Sequence, residues 1–228
     1  MSEHIPESQN NETHQTSEHA FSELLEGATL LPLTYDELPK GARDYFESKS
    51  EQYHPKDQYR PNDFSSLAKI VHADGQVTYV AEGIQYWANN EIGEVVYFVD
   101  YVDGVPAGHA ELCRNQNITH GERRNAPYVG SFRTYDESDH ESEGKSFRHR
   151  GLGTKRVMEM DAYAQARFGM VLDSDTHLVH DSVDEHGVMQ SSMERIWQRL
   201  VQSGKAEAYV WAKDANGNDR IAYRMKKE

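Results

Sequence analysis

The chain has 228 residues, 37% of them hydrophobic, with a single cysteine and a net charge of −14. That length suits one domain with an extra segment, and Cys113 alone excludes an intrachain disulfide framework. The acid excess argues against a nucleic-acid backbone binder, which rests on many cations; it serves either plain solubility or the attraction of cationic partners such as polyamines, aminoglycosides or basic peptides.

Residues 1–28 carry Glu3, Glu7, Glu12, Glu18, Glu23 and Glu26 with no lysine or arginine. So little apolar surface does not offset ordering entropy, so a disordered acidic tail is expected ahead of a domain spanning 29–228. Phe21, Leu24 and Leu25 could still form one amphipathic turn that docks on the domain or on a partner. His4, His14 and His19 read as solvated. No basic region precedes an apolar run at the N-terminus, and no eighteen apolar residues occur in succession. A soluble protein of the reducing cytoplasm, without membrane contact, is therefore expected.

Thr34 and Glu37 write a capping box that Pro39 interrupts, and a helix is expected over 39–49. A polar loop follows through Tyr53, Tyr59 and Pro61. Three hairpins are then signalled by Asp-Gly or Asn-Gly between apolar runs. Residues 67–72 and 76–81 flank Asp74-Gly75, residues 95–101 and 105–113 flank Asp103-Gly104, and residues 206–212 and 220–225 flank Asn216-Gly217. Cys113 ends one of these strands and reads as a small buried hydrophobe.

Residues 128–135 form a further strand. After an acidic run comes Arg148-His149-Arg150-Gly151-Leu152-Gly153-Thr154, and from Thr154 the residues Val157, Met160, Ala164 and Phe168 recur at helical spacing. The glycines thus stand between a strand and a helix N-terminus, where amides are free and the dipole is positive. Gly151 and Gly153 let a ligand approach the main chain, and Arg148 and Arg150 can pair with phosphate oxygens, so the expected guest is a pyrophosphate. No Gly-Lys-Ser/Thr follows, and the dinucleotide Gly-x-Gly-x-x-Gly is absent.

A strand at 170–173 leads to a polar stretch holding Asp173, Asp175, His177, His180, Asp181, Asp184 and His186. Its spacing matches no recognised ligand set, and no metal is expected. The next helix opens on the capping box Ser191-Ser192-Met193-Glu194, carries Met193, Ile196, Trp197, Leu200 and Val201 on one face, and stops at Gly204. Its apolar stripe must cover the sheet.

The spacing Arg-x-x-Gly-x-Gly from Arg148 to Gly153 resembles the acyl-CoA-binding motif of the GNAT superfamily of N-acetyltransferases, and the element order from about residue 30 onward is similar too. The resemblance implies an α/β fold: a mixed, mostly antiparallel sheet flanked by helices, with the strand before the loop splayed from its neighbour. It implies acetyl-CoA as co-substrate and direct transfer of the acetyl group to an amine, on a cationic small molecule or a basic peptide or protein. Phe132, Arg133, Thr134 and Tyr135 would then line the pantetheine arm, with Gly130 marking a bulge. Arg148, His149, Arg150, Gly151, Leu152, Gly153 and Thr154 would cradle the phosphates.

Two departures stand out. The acidic insertion 136–144 lies between strand and loop, either as a flap toward the acceptor or as an untethered surface loop. Trp197 stands where many members have a tyrosine that reprotonates the CoA thiolate, with Gln190 or Ser191 in place of an asparagine. An indole is no general acid near neutral pH. Either water returns the proton, or the protein is a non-catalytic body of this fold that binds a basic partner. The Trp-containing helix is similar to acetyltransferase-like proteins of phages. For the general base the sequence offers Glu111 and Asp136, each of which also reads as a solvated carboxylate.

Overall fold

The computed structural model describes residues 21, 25, 27–53, 64–86, 92–115, 126–148, 150–174, 182–183, 189–190, 192–213 and 215–227. Its elements are β1 (Ala28–Pro32), α1 (Lys40–Tyr53), β2 (Ser66–His72), β3 (Val77–Tyr86), β4 (Ile92–Val102), β5 (Val105–Asn115), β6 (Tyr128–Thr134), α2 (Leu152–Phe168), β7 (Ser182–Val183), β8 (Met189–Gln190), α3 (Ser192–Gln202), β9 (Ala206–Lys213) and β10 (Asp219–Met225). The fold is mixed α/β, with a six-stranded antiparallel sheet whose strands pair in chain order from β1 to β6.

The turn chemistry places the hairpins as read from the sequence. Asp103 and Gly104 both hold positive φ, 53° and 77°, as a two-residue hairpin turn demands. Asp74 accepts the Gln76 amide at 3.0 Å across the preceding turn. Thr34 gives its amide to the Glu37 carboxylate at 2.7 Å. That box closes one 3-10 turn over Tyr35–Glu37, and after Pro39 the chain starts α1 afresh.

Strand alternation sorts the sheet into two covered faces. Against one lies α1: Leu38, Ala42 and Phe46 pack on Val95, Tyr97, Val99 and Cys113. On the other, Val96, Phe98, Ala110, Leu112 and Val129 meet Val157 and Met160 of α2 and Trp197 and Leu200 of α3. Phe21 belongs to this second core, fully buried and edge-on to Tyr163 with ring centroids 6.4 Å apart. The docking alternative therefore holds for Phe21, and ordered strand begins at Ala28, inside the stretch read as a tail. Residues 1–20 lie outside the described part.

The expected strand at 170–173 is reduced to single rungs. Asp173 bridges Tyr128 in parallel and Arg224 in antiparallel fashion, and with its neighbours Leu172 and Ser174 it joins the β9–β10 hairpin to the main sheet. The segment is bonded on both sides: Val129 N donates to Asp173 O at 3.2 Å and Asp173 N to Pro127 O at 2.8 Å on the β6 side, while Met225 N donates to Leu172 O at 2.9 Å and Ser174 N to Tyr223 O at 2.8 Å on the β10 side. β1 was not legible in the sequence. It is a five-residue edge strand with no alternating burial, ending on Pro32. Among the described residues no helix is long and apolar enough to cross a membrane.

Candidate functional site

β6 is the strand on which the site is built. On one side it pairs with β5, with Glu111 opposite Ser131 and Leu112 opposite Val129, so Gly130 is the extra residue of a bulge. A Cβ on Gly130 would lie 2.5 Å from Cys113 Sγ, so the buried cysteine fills the space that a side chain would need. On its other side β6 meets Asp173 only at Tyr128 and Val129. From Gly130 to Thr134 that edge has no strand partner among the described residues. The expected bulge at Gly130 is present.

This edge runs toward the glycine loop. α2 starts at Leu152, two residues earlier than its periodicity suggested, because Gly151 takes the left-handed cap conformation at φ 78°. The first helical backbone bond goes from Lys155 N to Gly151 O at 3.2 Å, which leaves the Leu152, Gly153 and Thr154 amides facing out of the helix end. Gly153 has a different reason to be glycine. A Cβ there would lie 2.6 Å from Ile196 Cδ1 on α3, so helix packing by itself favours glycine at this position. Arg150 lies over the Phe147 ring at 5.3 Å. His149 falls outside the described residues.

The acidic insertion is tethered. Tyr135 N donates to Ala107 O, and Phe147 N donates back to Tyr135 O at 3.1 Å, so the loop leaves and returns at one point. Inside it Asp139 accepts the Asp136 amide at 2.8 Å and pairs with Arg133, while Asp136 pairs with Arg148 at 2.9 Å. The loop's own carboxylates thus hold two cations expected to serve the cofactor. The Ser138 hydroxyl and amide, then the Arg148 charge, keep Asp136 below the usual carboxylate range. That chemistry suits a loop anchor better than a base.

Glu111 sits elsewhere: buried on the α1 face of the sheet, where it accepts from Lys49 Nζ at 2.7 Å and Tyr45 OH at 3.3 Å. His109, two residues earlier on the same face, stacks on Tyr45 with centroids 4.6 Å apart and meets Tyr135 OH through Nδ1 at 3.0 Å. Burial, then the charges of Lys49, Arg156 and Arg133, bring the His109 pKa down to about 3, so its imidazole is neutral. Burial pushes the Tyr135 phenol up to about 12. Ser131, beside Glu111 on β6, has a buried Oγ with no hydrogen-bond partner among the described residues. Tyr45, Lys49, His109 and Ser131 were missed in the sequence; only the period-2 spacing of His109 and Glu111 hinted at a shared face.

Behind Phe132 lies a polar network that helical periodicity did not reveal. Arg156, nearly fully buried, pairs with Asp100, donates to Arg133 O at 2.9 Å, and lies over the Phe132 ring at 4.7 Å. It fixes the carbonyl side of β6 from the α2 face. Thr134 falls on that same face, pairing with Gly108. Trp197 is fully buried, stacked on Tyr223 at 6.1 Å and 9°, and its Nε1 has no hydrogen-bond partner among the described residues. Gln190 and Ser191 have no described side chains. Of the Asp/His stretch only Asp173 is described, and Arg224 and Tyr209 hold it; among the described residues no group of three or more potential ligands could hold a metal ion. Compared with family models, curated proteins and solved structures, the chain matches none.

Proposed function

We propose that the chain is an acyl-CoA-dependent N-acetyltransferase of the GNAT type that transfers acetyl directly from acetyl-CoA to an amine. The observation that carries this is the one-sided β6. From Gly130 on, its second edge has no strand partner among the described residues, and it leads to a helix N-terminus capped by Gly151. A strand edge pairs with the amides of an extended arm, and a helix N-terminus binds its terminal pyrophosphate. Phe132, Arg133, Thr134 and Tyr135 then run beside the arm, and the Leu152, Gly153 and Thr154 amides with Arg148 and Arg150 meet the phosphates.

In this reading Glu111 is the base. It takes a proton from the acceptor ammonium, the amine attacks the thioester carbonyl, and CoA leaves as a thiolate. Trp197 contributes packing, and water returns the proton. No covalent enzyme intermediate is needed, in keeping with the buried Cys113. The acid-rich composition favours cationic acceptors, and the single cysteine suits a reducing cytoplasm.

A non-catalytic body of the same type, binding a basic partner, is the second reading. The buried indole of Trp197, where a proton donor would be useful, favours it. Calorimetry with acetyl-CoA and desulfo-CoA, followed by thiol release over a panel of polyamines, aminoglycosides and lysine peptides, separates the two. CoA binding with turnover supports the enzyme, and CoA binding without turnover on any amine supports the second. Absence of CoA binding removes both the cofactor and the family reading.

A further inference from the structure

The contact between Lys49 and Glu111 has the composition of an enzyme–acceptor contact. The Lys49 ammonium sits 2.7 Å from Glu111 Oε1, with its side chain 19% exposed and the carboxylate's 4%. The Tyr45 ring lies 5.6 Å from Nζ, and its hydroxyl donates to the same oxygen. An aliphatic ammonium therefore meets a desolvated carboxylate and an aromatic face, the groups that recognise such cations. Ser131, opposite Glu111 in the β5–β6 register, belongs to the edge along which the thioester would lie. Neighbouring strands are about 4.8 Å apart, so that edge is one strand away from Glu111.

Resting on the acetyltransferase reading, we propose that Lys49 is an acceptor built into the chain and is self-acetylated at Glu111, the carboxylate that receives external primary aliphatic amines. Glu111 takes one proton from the Lys49 ammonium, and the neutral Nζ attacks the thioester carbonyl. The C–N bond forms, the C–S bond breaks, and the thiolate leaves. The second proton on nitrogen and the one held by Glu111 pass to solvent, and water protonates the thiolate, so that acetyl-lysine, CoA thiol and one net proton are produced. Acetylation removes the cation from a buried carboxylate, which weakens the hold of α1 on the sheet and leaves Glu111 to other amines.

Lys40 supplies the internal control, because it lies on the same helix with a 90% exposed side chain paired to Asp44. Simple chemical acetylation follows exposure and favours Lys40. The full chain is incubated with acetyl-CoA and followed by intact mass and peptide mapping, with desulfo-CoA binding measured on the same preparation. The expected result is acetyl on Lys49 well before Lys40, and a drop at Lys49 on the order of a hundredfold in Glu111→Gln. Lys40 reacting as fast as Lys49, or no acetyl on Lys49 in protein that binds desulfo-CoA, overturns the proposal alone. No binding of desulfo-CoA overturns the acetyltransferase reading and the proposal with it. If Glu111→Gln fails to fold, the Lys49-to-Lys40 order in the parent decides.

Discussion

Gly153 at the start of α2 sits where a Cβ would meet Ile196 Cδ1 of α3 at 2.6 Å. The second glycine of the loop thus records the approach of two helices. Gly153→Ala is expected to cost about 1 kcal/mol, the overlap outweighing the gain in helix propensity. In an Ile196→Val background, which lacks Cδ1, the same change should be neutral or stabilising. Thermal melts of the four proteins form the cycle, and additivity within error would refute the contact.

Arg148 shares its charge with Asp136 of the acidic loop, whereas Arg150 lies over Phe147. Arg150→Ala should weaken CoA binding with a shallower salt dependence than the parent. Asp136→Asn should tighten binding by about two- to fivefold, since an exposed pair of this kind competes only weakly. Titrations at low and high salt read both. Unchanged affinity in both variants would detach the loop from the cofactor.

His109 gives a pH signature. Its folded pKa lies below the unfolded value, so its contribution to stability is present above the unfolded pKa of about 6.5 and is lost as pH falls toward the folded value. His109→Gln keeps a partner for the Tyr135 hydroxyl but does not titrate. The gap between parent and variant melting temperatures should therefore move in the variant's favour as pH drops from about 7 to about 4. A constant gap would show that His109 is no more protected from protonation in the fold than in the unfolded chain.

Phe21 anchors the N-terminal segment in the α2–α3 core. Removing residues 1–26, or changing Phe21→Ala alone, should cost about 3–5 kcal/mol, against almost nothing for a solvated tail. A melting temperature within about a degree or two of the parent's would return residues 1–26 to the role of a tail.

Trp197 has no hydrogen bond to lose among the described residues. Trp197→Phe should cost less than Trp197→Ala, for which about 3–5 kcal/mol is expected. Trp197→Tyr should be less stable than Trp197→Phe, because it places a hydroxyl among the same apolar side chains. If tyrosine proves the better replacement, the indole N–H faces a polar group or water.

Local chemistry wrote what the sequence determined. Asp103-Gly104 required a tight hairpin, Gly151 and Gly153 marked the mouth of a helix, and the stripe around Trp197 and Leu200 required a covered face. Each rests on dihedral preference or periodicity within a few residues, so it is readable without knowing what lies opposite. The tertiary structure decided the rest. Tyr45 reaches Glu111 across 66 positions, and Thr78 reaches Glu159 across 81. Arg156 is tolerated in the core only because β4 brings Asp100 to it. Such partners are chosen by strand order and helix placement, which no short window of sequence contains. Hence Glu111 was visible as a carboxylate on a strand, while its pairing with Lys49 and Tyr45 came only from folding α1 over β5.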